Sequence, residues 1–141
     1  MADRVLILDI VTPDRNLFSG EVNMVVAPAL HGEVGILPLH APFLAELSVG
    51  ELRFTSDDGN DHPGEEYVAV SGGFMEVLED KVTVISPSAE FAREIDIERA
   101  QRAVVEAKEA LSEKSGVDMD KVEASLMRAE SRLKIAQRFG K

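Results

Sequence analysis

The sequence predicts an α+β protein: an N-terminal antiparallel β-sandwich over residues 1–87, then a C-terminal antiparallel two-helix hairpin over residues 88–141. Three observations predict it. Residues 4–86 divide into short runs rich in β-branched side chains, separated by glycine, proline and polar turns at near-regular spacing. Residues 96–138 instead carry two stretches whose apolar positions recur at alternating intervals of three and four. Charge divides at the same place: residues 1–87 hold 15 acidic and 4 basic side chains, and residues 88–141 hold 11 of each.

In chain order, residues 4–12 read as a strand, because Val5, Ile7, Ile10, Val11 and Thr12 favour a pleated backbone and no glycine interrupts them. Pro13-Asp14-Arg15-Asn16 is a turn. Leu17 to Ala29 reads as one long strand with a bulge at Gly20. From Leu30 to Pro42 the chain is turn-rich, with a short strand at Val34–Leu37, because Pro38 and Pro42 push their predecessors into extended geometry. Strands follow at Phe43–Leu47 and Glu51–Ser56. Residues 57–66 form a long acidic loop with strong turn signals from Asp57 to Gly64. Glu66–Val70, a corner at Gly72-Gly73, Phe74–Leu78 and Lys81–Ser86 complete the strands, which Pro87 and Ser88 end.

Helices are predicted over 96–114 and 120–138. Gly116 suits the position just past the first, and Asp120 with Glu123 forms an acidic capping box for the second. Ile97, Ala100, Val104, Ala107 and Leu111 make one seam. Val122, Leu126, Ala129, Leu133 and Ala136 make the other. Set antiparallel, Ile97 meets Ala136, Ala100 meets Leu133, Val104 meets Ala129, Ala107 meets Leu126 and Leu111 meets Val122. Alanine buries little area, so this thin hairpin needs a further surface, either its own sandwich or a partner.

Composition narrows the function. The chain has 141 residues, no cysteine and a net charge of −11. That excludes thiolate metal sites and disulfides. The acidic front half argues against nucleic acid and anionic lipid, and suits a basic protein partner or plain solubility. The start lacks the pattern of a signal peptide, and no apolar run reaches the roughly 20 residues of a spanning helix, so a soluble chain is expected. His31, His40 and His62 fall in separate loops. They read as loop residues rather than metal ligands, with His40 a donor that fixes the stretch between its two prolines. No nucleophile–base pair or phosphate loop is visible, which leaves a small enzyme without support.

One edge of the hairpin stands out. Asp96, Arg99, Ala103 and Glu106 share a side of the first helix, and Arg128 and Arg132 lie one turn apart on the facing side of the second. Arginine forks suit phosphate oxygens. The same spacing also suits a surface salt-bridge row, with Asp96 as a cap and Glu106 answering Arg128.

Gly32-Glu33-Val34-Gly35-Ile36-Leu37-Pro38-Leu39-His40-Ala41-Pro42-Phe43, read with Phe18-Ser19-Gly20-Glu21-Val22 and Ser71-Gly72-Gly73-Phe74, resembles the epsilon-subunit family of the F-type ATP synthases (delta in mitochondria). The resemblance covers nearly the whole chain and implies the fold already read. It implies a non-catalytic rotor subunit of the central stalk, whose sandwich holds the gamma subunit and sits on the c-ring. His31, Gly32 and Glu33 stand where the family touches the ring. It implies a hairpin that either lies on the sandwich or extends toward the catalytic alpha and beta subunits, where it blocks ATP hydrolysis. Ile95-Asp96-Ile97-Glu98-Arg99-Ala100 looks like the family's ATP-binding motif, so Ile95, Asp96, Arg99, Ala100, Arg128 and Arg132 are the implied nucleotide residues. ATP would be a regulatory ligand and not a required cofactor. Glu106 departs from an arginine that some ATP-binding members carry. The implied address is the cytoplasmic side of a bacterial cell membrane, peripheral and through the complex. The competing reading is an autonomous ATP-sensing module.

Overall fold

The computed structural model describes residues 4–56, 64–112 and 119–139. The strands are β1 (Leu6–Val11), β2 (Asn16–Val22), β3 (Met24–Ala29), β4 (Gly32–Ile36), β5 (Phe43–Ser56), β6 (Gly64–Leu78), β7 (Lys81–Ile85) and β8 (Ala89–Phe91). A 3-10 turn at Ala92–Glu94 leads to helices α1 (Ile97–Ser112) and α2 (Met119–Phe139). The strands pair in the order β2-β1-β7-β6-β5-β3-β4, with β8 added to β6. Pairing is antiparallel except between β1 and β7, which run parallel.

The sheet folds over into two layers that share a core. One core takes Leu6, Leu8 and Ile10 from β1, Val25 and Ala27 from β3, Leu52 and Phe54 from β5, and Met75 and Val77 from β6. The Phe18 ring on β2 lies 4.6 Å from that of Phe54. Alternate residues point inward along β1, β7 and the Leu52–Ser56 end of β5, whereas Val25 to Pro28 of β3 are buried in succession.

The structure changes four of the predicted elements. Leu17–Ala29 is two strands, not one. The chain breaks at Asn23, whose N–H donates to the Thr55 carbonyl, and there it leaves β1 for β5. Gly20 pairs with Leu8 in register, and the irregularity falls at Ile10/Val11 beside the turn. Phe43–Leu47 and Glu51–Ser56 are one strand, because Gly50 continues the ladder while its bare Cα admits Pro28, which would sit 3.2 Å from a Cβ there. Likewise Glu66–Val70 and Phe74–Leu78 belong to one 15-residue strand. Gly72 and Gly73 bend it at φ +92° and +109°, and the register with β5 is the same on either side of Gly72. Finally, Pro87 and Ser88 do not end the strands, since Ala89–Phe91 pairs with Val68–Val70.

Helix α1 opens one residue after the predicted start, because Asp96 is its cap: the Arg99 N–H donates to Asp96 Oδ1 at 3.2 Å. The predicted helix end at 114 and Gly116 lie outside the described residues, as do His62 and the loop through 63. Asp120 lies within the first turn of α2, where its charge favours the helix dipole, instead of at the cap.

The hairpin lies folded on the sandwich. Ala100, Val104, Val122 and Ala136 are buried as the seams require. Ile135, which the seams leave out, is buried too. It joins Ala69, Ala92, Ile95, Ala100 and Ala136 in a second, smaller core between hairpin and sandwich. Its place next to Ala136 widens the apolar stripe of α2 from a coiled-coil seam to a docking face.

Candidate functional site

A groove of about 240 Å³ runs between the hairpin edge and the sandwich. Arg128, Arg132 and Ser125 reach it from α2, Ala103 from α1, Ser71 from β6, and Ser88 and Glu90 from the β8 segment. The serines knit the bend of β6 to β8. The Ser88 N–H donates to Ser71 Oγ at 3.0 Å, and the Ser71 N–H donates to the Ser88 carbonyl at 3.1 Å.

Arg132 is engaged as a fork. Its Nη2 donates to Glu90 Oε2 at 3.2 Å, and its Nε donates to Glu90 Oε1. Arg128 is exposed and has no ion-pair partner among the described residues. The expected pairing of Glu106 with Arg128 does not form. The carboxylate that matters comes instead from the sandwich, on the strand the sequence did not reveal. The remaining residues of the predicted set stand elsewhere. Ile95 and Ala100 are buried in the second core, while Asp96 and Arg99 are exposed at the start of α1 and do not line the groove.

At the other predicted contact, His31 lies in the two-residue turn between β3 and β4, and Gly32 and Glu33 open β4, all three exposed. Gly32 has φ +126°, which restricts the position to glycine. Glu33 is not a free acid. Arg53 Nη1 donates to it at 2.9 Å and also meets Glu51 at 3.4 Å, while Arg53 Nε lies 3.6 Å from Glu65. Burial works against the Arg53 charge, but Glu33 and Glu51 outweigh it and hold the guanidinium pKa above its ordinary value. Three strands bring this cluster together, and no sequence spacing marks it.

His40 Nδ1 donates to the Ala41 carbonyl at 2.7 Å and its ring meets Phe43 edge-on, which makes it the loop-fixing donor expected. Asp80, in the turn from β6 to β7, accepts the Leu39 N–H at 2.7 Å, and Leu39 sits at φ +71°. Among the described residues no three histidines or carboxylates are grouped to hold a metal ion. No helix among them is long and apolar enough to cross a membrane.

The outer face of the β5-β6-β7 layer mixes exposed apolar side chains with Glu46 and Glu76, which lie across from Phe74 and Leu44. Leu44, Phe74 and Ile85 are 69%, 54% and 57% exposed, and Phe74 and Ile85 are cross-strand partners.

Comparison with known proteins places both halves. The family model described as ATP synthase, Delta/Epsilon chain, beta-sandwich domain matches residues 5–92, and that described as ATP synthase, Delta/Epsilon chain, long alpha-helix domain matches residues 93–137. The chain is 43% identical over 139 residues to an ATP synthase epsilon chain of Syntrophobacter fumaroxidans, covering 98% of this chain and 99% of that one. It is 47% identical over 134 residues to one of Dehalococcoides mccartyi, covering 93% and 91%. A chain in the Euglena gracilis mitochondrial ATP synthase structure, described as OSCP/F1/c-ring in rotational state 1, superposes with a TM-score of 0.77 at 24% identity, covering 94% and 81%. That likeness is one of fold.

Proposed function

Since the chain belongs to the ATP synthase delta/epsilon family, we propose that it is the epsilon subunit of an F-type ATP synthase. In this reading it is non-catalytic. It joins the gamma subunit to the c-ring in the central stalk, and its hairpin restrains ATP hydrolysis when it extends toward the catalytic alpha and beta subunits. It is peripheral to the cytoplasmic side of a bacterial membrane through the complex.

The observation that carries the proposal is the pair of separate cores. The sandwich is closed by large aliphatic side chains, and the hairpin docks on it through a patch that is mostly alanine. The hairpin can therefore lift without opening the sandwich. Two surfaces support the partner assignments. The exposed Leu44, Phe74 and Ile85 suit a large apolar contact with gamma, and the polar tip at His31, Gly32 and Glu33 suits the loops of the ring.

Co-expression with gamma and the c-ring tests the proposal. The chain should co-purify with both, and hydrolysis by the complex should rise when the chain is cut after Glu94. A complex that assembles without it, or hydrolysis indifferent to the cut, would refute the respective half.

The second reading, an autonomous ATP-sensing module, draws on Arg128, which is exposed beside the groove. It meets an obstacle in Glu90, which already holds Arg132, and in Glu106 on the adjoining helix side. A phosphate must displace one carboxylate and tolerate another. ATP thus enters the leading reading as a weak regulatory ligand, with no cofactor required.

A further inference from the structure

We infer that the Glu90–Arg132 pair is a latch that holds the hairpin on the sandwich with no ligand bound. The inference rests on the reading above, in which the hairpin detaches. Glu90 lies on β8, part of the sandwich, and Arg132 lies on α2, part of the hairpin. The guanidinium meets both carboxylate oxygens, the arrangement that gives arginine pairs direction as well as strength. Both side chains are less than a third exposed, at 29% and 28%, so solvent screens the pair only in part.

The apolar contact it supplements has a buried centre that is mostly alanine. Ala69, Ala92, Ala100 and Ala136 sit there with Ile95 and Ile135, and Tyr67, Ile97 and Leu133 pack around them partly buried. The paired charge adds to this contact a link that only one relative position of hairpin and sandwich can make. The chain leading into the hairpin is pinned independently. Arg93 Nε lies 3.3 Å from Glu66 Oε1, and the guanidinium of Arg93 stacks on the Phe91 ring at 4.5 Å. Opening thus leaves β8 and the 3-10 turn on the sandwich and parts Arg132 from Glu90. The carboxylate occupies the fork that an anionic ligand would otherwise fill, which makes the docked form self-sufficient.

The chain has no cysteine, so spin labels at Asp14→Cys on the sandwich and Lys108→Cys on α1 report hairpin position without background. Pulsed electron resonance distances are measured in the full chain, alone and with the gamma subunit. Glu90→Arg or Arg132→Glu should raise the ratio of undocked to docked hairpin at least tenfold, a change of about 1.4 kcal/mol. The double reversal should restore the native ratio. Glu90→Gln keeps the shape of the side chain and should give a smaller rise in the same direction, which covers the case in which a reversal disturbs β8. Single variants that match the native distance distribution, or a double reversal that fails to restore it, would overturn the latch. If gamma undocks the native hairpin while the single variants behave as native, only the latch fails. If no variant and no partner undocks it, the detachable-hairpin reading fails with it.

Discussion

Replacing Gly73 by alanine should be far more damaging than the same change at Gly32 or Gly35. Gly73 sits at φ +109°, outside the conformations open to side chains with a Cβ, which costs roughly 1–3 kcal/mol. The added methyl would lie 2.0 Å from the Ile85 carbonyl oxygen and 2.9 Å from the Ser86 Cα. These are backbone atoms of the neighbouring strand and its exit, so β7 must move away, at a cost of roughly a further 1–3 kcal/mol. Together that is a large part of the ~5–15 kcal/mol by which such a domain is stable. In urea, with a slope of about 2 kcal/mol per M, the unfolding midpoint should fall by roughly 1–3 M. Two controls separate the contributions. Gly32→Ala has φ +126° but open space around it, so only the conformational cost remains. Gly35→Ala has neither problem and should be neutral, or stabilising by about 0.5 kcal/mol, because glycine weakens a strand interior. Equal midpoints for Gly73→Ala and Gly35→Ala would refute the reasoning.

Three further outcomes are expected. Asp96→Ala removes the cap of α1 and should cost about 1 kcal/mol, read as lost helical circular dichroism while the sandwich keeps its unfolding transition. Tyr67 is the only tyrosine and there is no tryptophan, so ultraviolet absorbance titrates it directly. Burial first, and then the charge and hydrogen bond of Glu65, push its pKa above the ordinary value of about 10. The folded state favours the neutral phenol, so this stabilisation is complete below about pH 10 and is lost as pH rises through the folded-state pKa. Glu65→Gln should bring the value part of the way down. Equilibrium titration with ATP and magnesium should give weak binding in the native chain, none in Arg132→Ala, and tighter binding in Glu106→Arg; a Glu106→Arg chain no better than native would remove the repulsion argument.

Sequence pattern carried the architecture because it rests on local rules. Inward alternation in the strands, the two helical seams and the bend at Gly72-Gly73 each follow from residues close together in the chain. What escaped was set by contacts between distant segments. Asn23 looks like one polar residue in a β-branched run, and only the change of pairing partner from β1 to β5 makes it a boundary. Ala89–Phe91 is too short to stand out as a strand, yet it delivers Glu90 to Arg132. The two arginines of α2 were legible from their one-turn spacing, whereas their carboxylate was not. Arg53 likewise gathers Glu33, Glu51 and Glu65 from β4, β5 and β6, an arrangement fixed by the ladder and invisible along the chain.

The central claim, that this chain is a stalk subunit with a hydrolysis-restraining hairpin, meets its most direct test in the assembled enzyme. The complex is purified through a tag on gamma, and its ATP hydrolysis is compared with the full chain and with the chain cut after Glu94. The chain is predicted to be present in proportion to gamma, with hydrolysis higher in the cut form. Its absence from a complex that retains gamma and the c-ring would contradict the claim.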